Sequence, residues 1–487
     1  VFPRRRGRRR PHHAPPQRDH GLAAGLLLPA SLLAGLGWAY LPVPALSVDL
    51  PPATYTPGSM PWLHVAGSAR IVDDVGRTVL LRGFNDDALL EPDSVGPAPF
   101  DERDAEVMER SGFTVVRLPV AWSRLEPQRG RIDAGYLDEV VRTVRMIERH
   151  GMYSVLDMHF LDWGPRFGGS GAPRWAALPA VPDAQWWPWD SWRRHLSPAV
   201  NAAYAYFWLA PDWQSDFDMV WRVLAAQFRN DPGVAGYDIF NEPHPLPIPP
   251  RLFESDWMWP LYARTIAAIG SVDANHLFFV EGDLFGDFPT TIVPLRARGV
   301  VYSPHIYTGS LVPPAFTGDR APFDAHVREQ ESEARQVPAP MWTGELGIDK
   351  RQPHATEYVD TALDAYDDDA TGWAWWQWRQ DDHWGVEDAA GRVDLAWLQH
   401  LARPFVAFAP RGVHASRGDG VQGTLTLRID DRRSDEPILV SWPGYTRGTP
   451  QVSGSCISGE IWDAATARIF IVPYRDGPGC AVRISAA

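Results

Sequence analysis

The chain has 487 residues, 45% of them hydrophobic and 22% charged, which is an ordinary globular composition with room for one large domain and a small one. Its formal charge is −14, and residues 1–45 carry seven Arg against one Asp, so the rest of the chain stands at about −20. So acidic a body lacks the basic groove that phosphate contacts need, which excludes nucleic acid as the substrate.

From the N-terminus, a basic block at Arg4 to Arg10 precedes an apolar, uncharged run from Gly21 to Ala45. That run closes on Val43-Pro44-Ala45, a small-residue pattern fit for signal cleavage, and it is also long enough to cross a bilayer. Residues 1–45 are therefore expected to be a signal peptide or a membrane anchor, and the protein secreted or held outside the cell. Residues 46–60 are Pro-rich and read as a linker.

Eight short apolar runs then recur: Thr78 to Asn85, Thr114 to Val120, Tyr153 to Phe160, Gly236 to Pro243, Leu277 to Asp283, Val300 to Tyr307, Pro340 to Gly347 and Gly372 to Trp378. Continuous apolar runs predict strands buried on both faces, as in a parallel sheet. Amphipathic stretches such as Leu137 to His150 and Phe217 to Arg229 lie between them. Eightfold strand–helix alternation predicts a (β/α)₈ barrel, the TIM barrel, over residues 61–405. From 406 to 487 the helical period disappears, and short alternating runs such as "GTLTLRID" and "ARIFIVPY" predict a small antiparallel β-sandwich domain. The two cysteines, Cys456 and Cys480, fall in this part. In an exported chain they are expected to pair, closing a loop worth roughly 3.5 kcal/mol in the chain-entropy model.

Active sites on this fold stand where strand C-termini meet the following loops. The predicted strand ends carry Arg82 and Asn85, Arg117, Asp157 and His159, Asn241 and Glu242, His305 and Tyr307, Glu345, and Trp375, Trp376 and Trp378. So many polar and aromatic residues at one end of apolar strands exceed what packing requires. Two glutamates, on strands four and seven, can face each other across the barrel mouth. Cleavage of a glycoside needs such a pair, one to protonate the leaving oxygen and one to attack the sugar from the other side. Arg117 and Tyr307 can keep Glu345 ionised. Glu242, less compensated, suits acid duty. Asn241 can bond a sugar hydroxyl, and Trp376 can floor the sugar ring. His159, His305 and Asp157 show no short-spaced metal-ligand pattern, no phosphate-binding Gly loop occurs, and neither a metal nor a cofactor is expected.

These residues resemble glycoside hydrolase family 5. The "NEP" at 241–243 resembles that family's acid/base motif, and the glutamate of "TGELG" at 343–347 its nucleophile. Arg117, His159, His305, Tyr307 and Trp376 match its supporting positions. The resemblance implies a retaining hydrolase with Glu242 as acid/base and Glu345 as nucleophile. "DMHFLDWG" at 157–164, "GAPRWA" at 171–176 and "SPAVNAAYAYFW" at 197–208 are similar to the endoglycoceramidase subgroup, which implies a glycolipid or oligosaccharide substrate. In one respect the chain departs from that subgroup: Phe160-Leu161 stand where it carries Gln-Asp, and Asp162 comes one place late. A polysaccharide β-glucanase or β-mannanase is the alternative enzyme, and a non-catalytic sugar-binding protein the alternative of another class. Eight tryptophans between Gly171 and Arg222 suggest an apolar slot for acyl chains, and with it contact with a membrane surface. The protein is expected to act as a monomer.

Overall fold

A computed structural model describes residues 60–487, apart from 68, 92–98, 184–190, 287–288, 380–382, 389, 421, 431–435, 445–447 and 475–476. The expected export segment lies outside the described residues, as does the linker except for Met60.

Three short strands come first: β1 (Leu63–Ala66), β2 (Arg70–Asp73) and β3 (Thr78–Val79). Eight parallel strands follow: β4 (Arg82–Asn85), β5 (Val115–Val120), β6 (Tyr153–Met158), β7 (Val234–Asp238), β8 (Leu277–Val280), β9 (Val300–Tyr302), β10 (Trp342–Leu346) and β11 (Gly372–Trp375). They form one sheet in the order β10-β11-β4-β5-β6-β7-β8-β9. Parallel bridges Tyr302↔Met341 and His305↔Glu345 join β9 back to β10 and close the (β/α)₈ barrel. The first predicted run, Thr78 to Asn85, divides in two, because Val79 pairs with the C-terminal sheet and only Arg82 onward enters the barrel.

The outer helices show why these sequences coil. Ala134–Arg149 starts at Asp133, whose side chain accepts the Tyr136 amide, and it buries Leu137, Val140, Val141, Val144 and Ile147 at helical spacing. At the lower end of the barrel, Leu63, Ile71 and Val79 pack with Leu81, Val115, Tyr153, Leu277 and Trp342 and plug the floor.

Strands β12 (Phe405–Ala409), β13 (Val413–Ala415), β14 (Thr424–Ile429), β15 (Ile438–Ser441), β16 (Pro450–Ser453), β17 (Ile457–Asp463), β18 (Arg468–Pro473) and β19 (Cys480–Ala486) complete the chain. They make two facing antiparallel sheets, β1-β2-β3-β12-β15-β18-β17 and β13-β14-β19-β16. Leu425, Leu427, Ile429, Val440, Trp442, Ile469, Ile471, Val482 and Ile484 fill the space between them. The larger sheet thus recruits residues 63–79, which the sequence pattern places with the barrel. Their short runs carry no mark of which sheet they will join. Cys456 and Cys480 form a disulfide with Cα atoms 5.7 Å apart.

Among the eight tryptophans of the long connection, Trp208, Trp213 and Trp221 are buried, and Trp175 stacks on Trp213 with ring centroids 5.0 Å apart. These four pack the connection onto the barrel. Trp186, Trp187, Trp189 and the side chain of Trp192 lie outside the described residues.

Candidate active site

The upper end of the barrel opens into a cavity of about 430 Å³. Its walls include His159, Asn241, Glu242, His305, Tyr307, Glu345 and Trp376. Arg117 lies beneath them, fully buried in the middle of β5. All eight residues singled out in the sequence therefore come together.

Arg117 is the hub. Its Nη1 donates to Glu345 Oε1 at 2.7 Å and to Asn85 Oδ1 at 3.0 Å. Its Nη2 donates to Asn241 Oδ1 at 3.0 Å and lies 3.2 Å from Asp157 Oδ1, while Nε donates to Asp238 Oδ2 at 2.9 Å. A guanidinium has five N–H donors in a fixed fork; here four make hydrogen bonds, and Asp157 adds an ion pair. One cation thus faces several buried carboxyls, too few positive charges to keep all of them ionised. Burial pushes Asp238 upward despite Arg117.

The two glutamates sit in different surroundings. Glu345 Oε1 takes Arg117, and its Oε2 takes the Tyr307 hydroxyl at 2.9 Å. Burial and the neighbouring carboxylates hold the Tyr307 phenol well above its usual range, so it stays a donor. Glu242 is bonded instead by His305, whose Nδ1 is 3.0 Å from Oε1. Burial raises the Glu242 carboxyl, against the pull of His195, His159 and Arg117. Burial also pushes His305 down to about 4, so the imidazole is neutral at ordinary pH. One side-chain atom each of Glu242, His305 and Glu345 lies within 4.8 Å of the others. That brings carboxyl oxygens to the spacing of a retaining pair, where the groups are about 5–5.5 Å apart.

Local sequence explains the placement. Glu242 has φ +45°, a left-handed backbone for a residue with a side chain, and such a conformation costs of order 1–3 kcal/mol. Around Glu345 both glycines of "TGELG" are required. A Cβ on Gly344 would lie 2.7 Å from Ser303 Oγ and 3.2 Å from His305 Nε2, and one on Gly347 would strike the Trp376 carbonyl at 2.4 Å. His159 stacks on Trp376 at 5.5 Å with 13° between the rings, and its Nδ1 is 2.8 Å from Asp157. Burial opposes a charge on His159, but Asp157 prevails and raises it. Asn241 is spoken for on both sides, since its Oδ1 accepts from Arg117 and its Nδ2 donates to the Phe160 carbonyl at 3.1 Å.

Other strand-end residues do not reach the cavity. Arg82 pairs with Asp367 at 2.5 Å beneath the outer helices, and Trp375 and Trp378 are buried in the core. Where the chain departs from the endoglycoceramidase pattern, Phe160 stacks on Phe240 at 4.0 Å, and Asp162 turns away at φ +50° toward His195, 3.2 Å distant. His195, from the long connection, lines the cavity. So does Glu281, just past the end of β8, where "FFVEGD" places a carboxyl at a strand end as "NEP" does. Neither belongs to the residues singled out in the sequence. Glu281 carried a legible signal in its position, whereas His195 sits in a long loop with none.

Comparison with known proteins agrees with this geometry. The profile of cellulase (glycosyl hydrolase family 5) matches residues 72–382. Endoglycoceramidase I of Rhodococcus hoagii is 26% identical, over 85% of this chain and 86% of its own length. A glucosylceramidase of Rhizopus delemar is 26% identical over 36% of this chain and 34% of its own. Endo-glycoceramidase II from Rhodococcus sp., solved with a cellobiose-like imidazole, superposes with a TM-score of 0.74 at 26% identity, covering 86% of this chain and all of the other. An endogalactoceramidase structure does so at 0.74 and 28%, covering 88% of this chain and all of the other. With the matched profile spanning most of the chain and the paired glutamates standing at the barrel mouth, the chain belongs to glycosyl hydrolase family 5.

Proposed function

We propose that this chain is a retaining hydrolase that cleaves the β-glycosidic bond between a glycan and a lipid, with Glu345 as nucleophile and Glu242 as acid/base. The observation that carries the reading is the carboxyl pair, close enough for a double displacement and held by different partners, Glu345 by the donors Arg117 and Tyr307 and Glu242 by His305. Glu345, held by Arg117 and Tyr307, attacks the anomeric carbon while Glu242 gives its proton to the departing glycosidic oxygen. The C–O bond breaks, and a glycosyl ester forms on Glu345. Glu242, now a carboxylate, takes a proton from water as that water attacks the same carbon from the side the aglycone left. Glu345 departs, and Glu242 is again protonated. His159 and Trp376 hold the sugar over the pair, and the second N–H of the Asn241 amide is left for a sugar hydroxyl.

A lipid aglycone is supported by the wall beyond Glu242, where Leu284, Leu311 and Val312 line the cavity. Leu196, Leu252, Val293 and Leu311 are exposed in the segments that follow four successive strands, β6 to β9. An apolar wall in a polar cleft, with Leu311 both exposed and lining it, suits a substrate drawn from a membrane surface. Relatives named endoglycoceramidase and glucosylceramidase fit the same reading. Export is supported by the disulfide and by the apolar run of residues 21–45. Action as a monomer is consistent with a cavity built from one chain. The test is a panel of glycosphingolipids, simple alkyl glucosides and soluble β-glucans. Release of intact oligosaccharide from the glycosphingolipid at a far higher kcat/KM is the expected result. Preference for the soluble glucan would replace this reading with that of a polysaccharide hydrolase.

A further inference from the structure

His305 poses a question that the two glutamates leave unanswered. Its Nδ1 lies 3.0 Å from Glu242 Oε1 and 3.5 Å from Glu345 Oε2. Its Nε2 is buried and makes no hydrogen bond. A neutral imidazole carries one proton, and the ring nitrogen that holds it is set by what the other nitrogen meets. Here Nε2 faces Glu281 Oε2 at 3.6 Å. The other oxygen of that carboxyl, Oε1, accepts the main-chain N–H of Glu242 at 2.9 Å. Glu281 thus touches both the backbone of Glu242 and the ring that holds its carboxyl.

We propose that Glu281 is a positioning residue for the acid/base: a neutral carboxyl whose carbonyl oxygen holds the Glu242 amide and whose hydroxyl is aimed at His305 Nε2. The inference rests on the reading of Glu242 as acid/base. Its layout follows from donor and acceptor inventory. With the Glu281 hydroxyl on Nε2, the imidazole proton is on Nδ1 and points at Glu242 Oε1. Oε1 is then an acceptor, so the transferable proton of Glu242 is carried by Oε2, free to meet the leaving oxygen. After transfer, the same Nδ1–H steadies the new carboxylate. Burial, together with Asp238 and Glu242 nearby, holds the Glu281 carboxyl well above its usual range, in keeping with a hydroxyl at this place. The 3.6 Å gap is long for a hydrogen bond, and catalytic contacts often tighten when the site is filled. The hydrogen bond from the Glu242 N–H to Glu281 Oε1 also holds Glu242 in its left-handed backbone.

The test compares Glu281→Gln with Glu281→Leu on two β-cellobiosides, one with a dinitrophenyl and one with an alkyl leaving group. Gln keeps the carbonyl acceptor and offers N–H where the hydroxyl stood, so Glu281→Gln should stay within about threefold of wild type on both. Glu281→Leu loses both bonds. It should lose about a hundredfold in kcat/KM on the alkyl glycoside and far less on the dinitrophenyl one, which departs without a proton. Labelling of Glu345 by an activated 2-fluoro glycoside at an undiminished rate would show the Leu variant folded. Equal loss in Gln and Leu variants, equal loss on both glycosides, or no loss in the Leu variant would each overturn the assignment. A wild-type chain inert to both glycosides would remove the glycosidase reading itself, and Glu281's role with it. A Glu242→Ala variant with no dependence on leaving group would do the same for the acid/base.

Discussion

At the floor of the barrel, Leu81, Val115, Tyr153, Leu277 and Trp342 meet the N-terminal strands in an apolar contact. At the mouth, the same strands and their loops deliver Glu242, Glu281 and Glu345 to one cavity, with Arg117, Asp157 and Asp238 buried beneath it. Burying apolar surface stabilises the fold by roughly 25 cal/mol per Å². Burying carboxyls does not, unless each finds a partner, and one guanidinium cannot serve them all. The left-handed backbone at Glu242 adds to that cost. Stability is therefore concentrated at one end of the strands and chemistry at the other, and substitutions at the two ends should separate the two properties.

The largest effect belongs to the mouth. Glu345→Gly should reduce turnover by roughly a thousandfold or more while leaving the melting temperature near wild type. Azide should partly restore activity, giving the glycosyl azide of inverted configuration, identified by NMR. Full activity in this variant would remove Glu345 from the mechanism.

Glu242→Ala should lose roughly 10²- to 10⁴-fold in kcat/KM on substrates with poor leaving groups. With dinitrophenyl glycosides the first step should survive, visible as a burst. In the proposed acid role Glu242 must be protonated, and burial raises its carboxyl. The alkaline limb of wild-type kcat/KM should therefore lie above the ordinary carboxylate range, with activity falling as pH rises through it. In Glu242→Ala that limb should disappear.

The floor should behave in the opposite way. Leu277 is 1% exposed beneath the barrel. Leu277→Ala should cost about 2–5 kcal/mol by denaturant titration, with kcat of the folded fraction unchanged. A kcat that fell in step with stability would break the separation between the two ends.

The smallest effect is a gain. A carboxyl raised in the folded state contributes stability that is full below its unfolded pKa and is lost as pH rises toward its folded pKa. Glu242→Gln cannot ionise, so it should be more stable than wild type by about 1 kcal/mol at pH 8 and equal to it near pH 4. Thermal melts at the two pH values measure this. Equal stability at pH 8 would mean that the mouth carries no such cost.

Much of this was legible in the sequence, for a physical reason. A parallel strand buried on both faces is a continuous apolar run, and a reactive group at its end interrupts that run. Arg117, His159, Glu242, His305, Tyr307 and Glu345 stand out on those grounds. Arg82 shows where the rule fails: it too interrupts an apolar run, but it pairs with Asp367 away from the cavity. The Asp367-Asp368-Asp369 run ends a helix, where Asp367 meets Arg82 and Asp368 meets Arg417. His195 was not legible, because its place depends on how a long connection folds back over the mouth. Neither was the transfer of β1–β3 to the C-terminal sheet, since pairing between distant segments leaves no mark in either one.

The barrel closes between β9 and β10 on little more than single bridges, and one of them joins His305 to Glu345. There the Ile306 amide donates to the Glu345 carbonyl at 2.9 Å, and the Gly344 amide to Pro304 at 3.1 Å. The seam of the cylinder thus runs through the candidate active site, with Glu345 on one lip and His305 on the other. A barrel folded everywhere except along this seam would hold every active-site residue and catalyse nothing. During refolding, activity should therefore return with deuterium protection at Ile306 and Gly344, after the helical signal has already recovered.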